Sequence, residues 1–359
     1  MTSGPDPAGD ASVVTAPDPE AATAPDAEVV TAPDPGVATA DEDVVTAPDP
    51  GVATVRDPDA APSGAPLVPP PALDLVIVHR RRPAAAVRTA RLFLDQGVPV
   101  RVLMVDNGSP EPDLARLRAS LPAAVDVLEL GANTGFGPGA NAGFRWFLRH
   151  DPAPWLGVAP HDAEPEPGCL RRLLAEVGAR PGAGLASADV GDGLTPVLDR
   201  YFGAIPAEAT VADGWEPAGY PHGTLMVARR HCLEDVGLFD ERYFAYCEEA
   251  ELALRAQERG WEVGVVRGAG VRNRDVGSHA GVVDYLQLRN TLLMVREHSG
   301  RYHATIRLII ALWQLGAGLV VPARRGPYWS PRARLRAIAD HLCRRYGPPP
   351  QHLVRTCRT

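Results

Sequence analysis

Ala159-Pro-His-Asp-Ala-Glu-Pro-Glu-Pro-Gly168 lies between an apolar run and a helix pattern. The run before it, Pro154-Trp-Leu-Gly-Val-Ala159, reads as a buried strand. The segment after it, Cys169-Leu-Arg-Arg-Leu-Leu-Ala-Glu-Val177, places apolar residues at helical spacing. Asp162 is thereby set at the carboxyl end of a strand expected near the middle of a sheet, the edge at which open α/β sheets bind ligands. Glu164 and Glu166 precede the helix and suit its dipole.

Three further strands are expected upstream, at 73–79, 99–106 and 124–130. A helix between the first two begins at Pro83, a start signal. The second strand ends in Asp106-Asn-Gly-Ser109, where Asn-Gly supplies a tight turn and Ser109 is placed to cap the next helix. The third leads into Gly131-Ala-Asn-Thr-Gly-Phe-Gly-Pro-Gly-Ala-Asn-Ala-Gly-Phe144. Strands alternating with helices predict an α/β fold, Rossmann-like, with a mostly parallel central sheet flanked by helices. Asp106 is positioned to accept hydrogen bonds from a base or ribose, or simply to stop the strand as an Asx turn. The glycines allow close backbone approach to phosphate or a plain loop-to-helix connection. Their spacing is neither G-x-G-x-x-G nor a Walker loop.

Downstream, Gly219-Tyr-Pro-His-Gly-Thr-Leu-Met-Val-Ala228 reads as a turn feeding a short strand, and 229–236 as a helix. An aromatic loop over 237–246 delivers a helix over 247–260 with a glycine stop. Glu248, Glu249 and Glu251 crowd its first turn. Dipole complementation accounts for them, and so does a general base with a pKa raised by partial burial. Another short strand precedes Val271, and helices are expected over 283–297, which holds Arg289-Asn290, over 302–321 and over 330–346.

Composition sets the limits. The chain has 359 residues, and residues 1–72 carry 13 acidic residues and one basic residue, Arg56. That balance of −12, against −8 for the chain, leaves +4 for a nearly neutral body. Val-Val-Thr-Ala-Pro-Asp-Pro recurs at 13–19, 29–35 and 44–50. Proline at this density and acidic self-repulsion predict a disordered acidic tail, read either as a docking arm or as low-complexity drift. The tail does not read as a signal peptide. Five cysteines, an odd number with no C-x-x-C pair, argue against a disulfide framework or structural zinc and predict a reducing, cytoplasmic compartment. The longest apolar run, 308–322, is short for a membrane span. It lies beside Arg324, Arg325, Arg332, Arg334 and Arg336. An anionic membrane surface and a helix packed on the domain with its arginines in water both fit that pattern.

The order of the motifs is more specific than any one of them. Val105-Asp-Asn-Gly-Ser109, Asn133-Thr-Gly-Phe-Gly-Pro-Gly-Ala-Asn141, a strand ending in Asp162, Gly237-Leu-Phe-Asp-Glu241, and Glu248-Glu249 with Arg255 and Gly260-Trp261 together resemble a family-2 glycosyltransferase of the bacterial rhamnosyltransferase-like branch. The resemblance covers residues 73–300. It implies a GT-A fold, with 73–162 holding the nucleotide and 163–300 the acceptor and base. A C-terminal helical extension at 301–346 and a flexible tail at 347–359 would follow. It also implies an inverting transfer from a nucleoside-diphosphate sugar, thymidine-diphosphate rhamnose or a uridine-diphosphate sugar, to a glycan, lipid-linked or small-molecule acceptor, as in cell-wall or polysaccharide assembly. No nucleic-acid partner is implied, and the C-terminal helices would touch the inner membrane face from the cytoplasm.

Carried over by position, Asp106 contacts the base, and Asn107, Ser109, Asn133, Gly135, Asn141, His161, His222 and Glu248 belong to the donor and acceptor pockets. Asp162 holds a divalent cation, magnesium or manganese, on the diphosphate. Glu249 stands where the family has an aspartate and is the catalytic base. Pro-His precedes Asp162 where the family has Asn-Pro or Asp-x, and Asn273 stands where many members have a metal-binding histidine. The alternative expectation is a non-catalytic sugar-nucleotide-binding or scaffold protein of a glycan-assembly complex. A nucleotidyltransferase would need a basic glycine loop after the first strand, which is missing.

Overall fold

The structure is a computed structural model that describes residues 72–150, 152–273 and 280–355, with side chains to 353. The expected disordered tail and residues 274–279 lie outside the described residues. The upstream region is built as three repeats of strand and helix: β1 (Leu73–His79), α1 (Pro83–Leu94), β2 (Val100–Asp106), α2 (Glu111–Ser120), β3 (Val125–Glu129), α3 (Phe136–Leu148) and β4 (Trp155–Pro160). β1 pairs in parallel with β2 and β4, and β2 with β3. Side chains alternate across β1. Leu73, Leu75 and Ile77 join one core with Phe93 and Leu173, while Val76 and Val78 join another with Phe144 and Leu252. A sheet buried on both faces explains the nearly continuous apolar runs of these strands.

Beyond β4 come β5 (Ala163–Pro165), α4 (Cys169–Gly178), β6 (Ala183–Asp189), β7 (Leu194–Asp199), β8 (Gly203–Glu208), β9 (Gly214–Pro217), β10 (Met226–Arg229), α5 (Arg230–Val236), α6 (Glu248–Glu258) and β11 (Glu262–Asn273). The main sheet runs β3-β2-β1-β4-β10-β6-β11-β5, with β9 on β11, and β7 and β8 form a separate hairpin. β10 is antiparallel to both β4 and β6. The strands over 183–217 carry Pro196, Pro206 and several glycines, which hid them in the sequence. A buried arginine ties them together. Arg267 on β11 donates from Nε to Glu216 Oε2 at 2.6 Å, from Nη1 to Asp189 at 3.0 Å and from Nη2 to Thr195 Oγ1 at 2.7 Å.

The C-terminal helices are α7 (Ala280–Met294), α8 (Gly300–Val320), α9 (Pro331–Leu342) and α10 (Gln351–Arg355), with a π-helical turn, Val295–Ser299, between α7 and α8. The stretch Ala280–Val320 is long and apolar enough to cross a membrane by length and composition. It is not one rod, because Gly300 leaves the helical region at φ 86°. α8 buries Ala304, Arg307, Ala311, Leu315 and Gly318 and exposes Ile309, Trp313, Leu319 and Val320. The expected flexible tail is partly ordered. Arg289 Nη1 donates to the Gly347 carbonyl at 2.8 Å, and Leu353 is buried with Tyr285 and Ile338.

Two local expectations differ in detail. Ser109 does not cap α2: Pro110 holds the N-cap position, and Ser109 Oγ accepts from the Arg81 amide at 2.9 Å. The glycines of α3 serve packing. A Cβ on Gly143 would lie 2.6 Å from Val76, and one on Gly139 would lie 3.1 Å from Asn107 Nδ2, so their absence lets α3 lie close on β1.

Candidate active site

A cleft of about 920 Å³ opens at the carboxyl ends of β1 and β4, where the strand order reverses direction from β1. That is the topological switch point at which open α/β sheets bind ligands. Eight of the eleven residues expected from the sequence line it: Asn107, Asn133, Gly135, His161, Asp162, His222, Glu248 and Glu249. Asp106, Ser109 and Asn141 do not.

The β1 and β2 ends explain why Asp106 stands back. It is 1 % exposed. Its Oδ1 faces His79 Nδ1 at 3.0 Å, and its Oδ2 accepts from the Ser109 amide at 2.9 Å. Burial pushes the Asp106 carboxyl up, but the hydrogen bonds from His79 and Ser109 outweigh it and hold the carboxyl below its ordinary value. His79 Nε2 accepts from the Arg82 amide at 3.1 Å, so the proton on the imidazole belongs on Nδ1, toward Asp106. His79 lines the cleft beside the ring of His161, with centroids 5.7 Å apart. His79, with Arg80 and Arg82 at the cleft wall, escaped the sequence reading. The available signal was position, at the end of the first strand.

The glycine-rich turn is held by Asn107. Its Nδ2 donates to the Gly135 carbonyl at 2.7 Å, and its Oδ1 accepts from the Thr134 amide at 2.8 Å. Asn133 Oδ1 accepts from the Gly135 amide at 3.3 Å. The Gly137 amide, in the first turn of α3, donates to the Phe244 carbonyl at 3.3 Å, so this donor is already used. Asn141 is a structural clamp. Its Nδ2 donates to the Phe239 carbonyl at 2.8 Å, and its Oδ1 accepts from the Phe239 amide at 3.0 Å. At the β4 end, His161 is fixed through its backbone: its amide donates to Val78 and its carbonyl accepts from Thr89 Oγ1 at 2.7 Å. Asp162 is 3 % exposed and lines the same wall. Glu164 and Glu166 pair with Arg88 and Arg272.

The opposite wall is the loop that delivers α6. Phe244, Tyr246 and Cys247 have φ of 66°, 68° and 72°, a left-handed backbone that costs side-chain-bearing residues of order 1–3 kcal/mol each. Asn290 on α7 holds the loop there. Its Nδ2 lies 2.9 Å from the Tyr243 carbonyl, 2.8 Å from that of Ala245 and 2.7 Å from that of Tyr246. Arg289, fully buried, donates to Asn290 Oδ1 from Nε at 3.1 Å. Thus Arg289-Asn290, unassigned in the sequence, over-determines a strained loop.

The three acids of α6 then separate. Glu251 is neutralised by Arg255 at 2.7 Å and His298 at 3.4 Å. Glu248 and Glu249 face the cleft. Glu248 is 1 % exposed, and its Oε2 has no hydrogen-bond partner. Burial, and then the neighbouring Glu249 charge, raise its pKa well above normal. Glu249 is half-buried, and burial raises it to about 7. A Cβ on Gly223 would lie 2.0 Å from Glu249 Oε1, so only glycine leaves that carboxylate its place. His222, beside it, is lowered by burial and shares a 3.1 Å hydrogen bond with Thr224 Oγ1. A carboxylate that titrates near neutrality in a cleft is a candidate acid or base.

No protein-family model matches the chain. The chain is 27% identical over 275 residues to N-acetylglucosaminyl-diphospho-decaprenol L-rhamnosyltransferase of Mycobacterium tuberculosis, covering 65% of this chain and 85% of the relative. It is 22% identical over 212 residues to the low-salt glycan biosynthesis hexosyltransferase Agl10 of Haloferax volcanii, covering 53% and 68%. A mannosyltransferase from Pyrobaculum calidifontis, solved with GDP-Man and Mn2+, superposes with a TM-score of 0.50 at 14% identity, over 76% of this chain and 87% of that one. GalNAc-T7, solved with UDP, GalNAc and Mn2+, gives 0.50 at 13% identity over 75% and 55%. The relatives by sequence are glycosyltransferases, which supports glycosyl transfer. The chain has the GT-A fold and is similar to family-2 glycosyltransferases of the rhamnosyltransferase-like kind.

Proposed function

We propose that the chain is an inverting glycosyltransferase that moves a sugar from a nucleoside diphosphate to an acceptor hydroxyl, with Glu249 as general base. One observation carries this reading. A half-buried carboxylate raised to about 7 shares a cleft with the switch-point strand ends that bear His79, His161 and Asp162. A base poised near the working pH is ionised often enough to act and basic enough to take a proton. The acceptor oxygen attacks the anomeric carbon as its proton passes to Glu249. The bond to the diphosphate breaks on the opposite face, and the electron pair leaves with the diphosphate. Gly223 keeps the space that the Glu249 carboxylate occupies. Arg80 and Arg82 offer positive charge at the cleft wall to the diphosphate.

A divalent cation, magnesium or manganese, would neutralise charge on the departing diphosphate. Among the described residues no group of three His, Cys, Asp or Glu is arranged to hold a metal. Asp162 is a buried carboxylate on the cleft wall. One such carboxylate suits a hard cation that takes its other ligands from phosphate oxygens and water.

The donor we favour is thymidine-diphosphate rhamnose, with a uridine-diphosphate sugar as the second choice, and the acceptor a lipid-linked glycan. Support comes from the mycobacterial relative, whose name joins L-rhamnosyl transfer to a diphospho-decaprenol. Placement at the inner membrane face fits α8. Its outer face is apolar, and Arg301 on α8, Arg324 and Arg325 after it, and Arg332 on α9 are exposed. The test is calorimetric titration with dTDP, UDP and GDP, each with and without Mn²⁺, followed by a transfer assay with the nucleotide that binds. Metal-dependent binding of one nucleotide is expected. A folded protein that binds none of them overturns the reading.

A further inference from the structure

Arg307 is the one charged residue on α8 between Arg301 and the helix end. It is 8 % exposed, on the buried face of the helix among Ala304, Ala311 and Leu315, and it lines the cleft. Among the described residues its buried Nε and Nη1 have no hydrogen-bond partner. Such a group is expensive, because a buried guanidinium gives up its water and regains nothing unless an anion meets it.

Among the described residues the carboxylates lining the cleft are Asp162, Glu248, Glu249 and Asp284, and Arg307 is recorded in an ion pair with none of them. Asp284 is committed elsewhere. Its Oδ1 meets Arg334 Nη2 at 2.8 Å, and its Oδ2 accepts from the Ser330 amide at 2.7 Å and from Arg334 Nε at 3.0 Å. Arg334 also lines the cleft, and it raises the local positive potential at Arg307. Burial, with that neighbouring charge, lowers Arg307 to about 10, which leaves it charged at neutral pH. The residue thus presents a desolvated, unspent cation to a cleft wall built by α7, α8 and the segment after them. That wall contains none of the strand ends assigned to the donor. It stands next to the loop that delivers Glu249, since Cys247 lies within electrostatic reach of Arg307.

We infer that Arg307 forms a second anion subsite in the cleft, and that it takes a phosphate group carried by the acceptor. The word acceptor rests on the glycosyltransferase reading; the anion subsite does not. Guanidinium suits phosphate oxygens in geometry and charge, and a hydrogen bond to an ionised partner is worth more than a neutral one. The subsite would hold a phosphorylated acceptor beside the base while leaving the donor site at the β1 and β4 ends.

The test uses the full chain and three probes: geranyl diphosphate, inorganic pyrophosphate, and the nucleoside diphosphate that binds best. Affinities are compared for wild type, Arg307→Gln and Arg307→Lys, with thermal melts of each protein alone. Geranyl diphosphate is expected to bind wild type, and Arg307→Gln to weaken it about 10- to 100-fold, with Arg307→Lys in between. Nucleoside diphosphate affinity is expected to stay unchanged. Without ligand, Arg307→Gln is expected to melt at or above the wild-type temperature, because the substitution removes an unpaid burial.

Equal geranyl diphosphate affinity in wild type and Arg307→Gln overturns the inference, as does a large drop in melting temperature, which would show a structural partner. A parallel loss of nucleotide affinity assigns Arg307 to the donor and overturns the acceptor assignment. Arg307-dependent binding of pyrophosphate as tight as that of geranyl diphosphate does the same. An Arg307-dependent geranyl diphosphate signal in a protein that binds no nucleotide leaves the subsite standing and removes only the glycosyltransferase reading.

Discussion

Replacing Glu249 with glutamine keeps the shape of the side chain and removes its charge, and the structure predicts opposite effects on activity and stability. The carboxyl moves from 4.5 to about 7 on folding. Between those values the folded chain holds a proton that the unfolded chain has released, so stability falls as pH rises through that window and levels off above it. Full conversion of the shift corresponds to roughly 3 kcal/mol; partial exposure and the neighbouring Glu248 reduce this to about 1–3 kcal/mol. Glutamine has no such slope. At pH 8, Glu249→Gln is therefore expected to melt about 2–8 °C above wild type, with a much smaller gap at pH 5. Relief of the like charge beside Glu248 acts in the same direction. Turnover is expected to fall about 10²–10⁴-fold, and wild-type kcat/KM to rise with pH and flatten above about 7. The assays are thermal melts at the two pH values and sugar transfer across the same range. A variant that is equally destabilised at pH 5 and pH 8, or that keeps wild-type turnover, refutes the assignment of a strained, ionising base to this position.

Gly223→Ala would place a Cβ 2.0 Å from Glu249 Oε1. Because that oxygen is the end of a flexible side chain, the fold should survive while kcat drops about tenfold or more, read from steady-state kinetics beside circular dichroism. Asn290→Ala leaves the Tyr243, Ala245 and Tyr246 carbonyls without their shared donor. A cost of about 2–4 kcal/mol in urea unfolding is expected, with lower turnover from loosening of the Glu249 loop. Trp313→Ser with Ile309→Ser on the exposed face of α8 should lower co-sedimentation with vesicles containing anionic phosphatidylglycerol, while nucleotide affinity in calorimetry stays the same. Unchanged co-sedimentation would place that face in water.

The strand-helix alternation of the first ninety described residues was legible because β1, β2 and β4 are largely buried on both faces, β3 at the edge mixes buried and more exposed residues, and each helix has one apolar side. Asp162 and the Glu248-Glu249 pair were legible for a related reason: each sits where a regular element starts or stops. What escaped depends on partners distant in sequence. His79 gains its place only when Asp106, on the neighbouring strand, fixes its ring. Asn141 looks like part of a glycine-rich binding turn until Phe239 takes up both ends of its amide. The left-handed backbone at Phe244, Tyr246 and Cys247 has no glycine to announce it, since Asn290 enforces it from more than forty residues away. β6 is a buried strand rich in alanine, too weakly hydrophobic in pattern to stand out, while β7, β8 and β9 were masked by proline and glycine, and the buried Arg267 side chain ties β7 and β9 to the end of β6.

β10 joins the sheet between β4 and β6, although its residues come more than sixty positions after β4 in the chain. A polypeptide ending near Asp162 would leave β4 as a raw edge, with unpaired amides and carbonyls along an apolar strand. A polypeptide starting there would carry β10 without one of its two neighbours. The region that would bind the nucleotide and the region that would supply the base are therefore one folding unit, and neither is a module to be expressed alone or exchanged between relatives. During synthesis the first half must wait, with an open edge, until residues 226–229 emerge to close it. Ribosome-bound nascent chains shorter than that are the ones for which chaperone capture and edge-to-edge aggregation are expected.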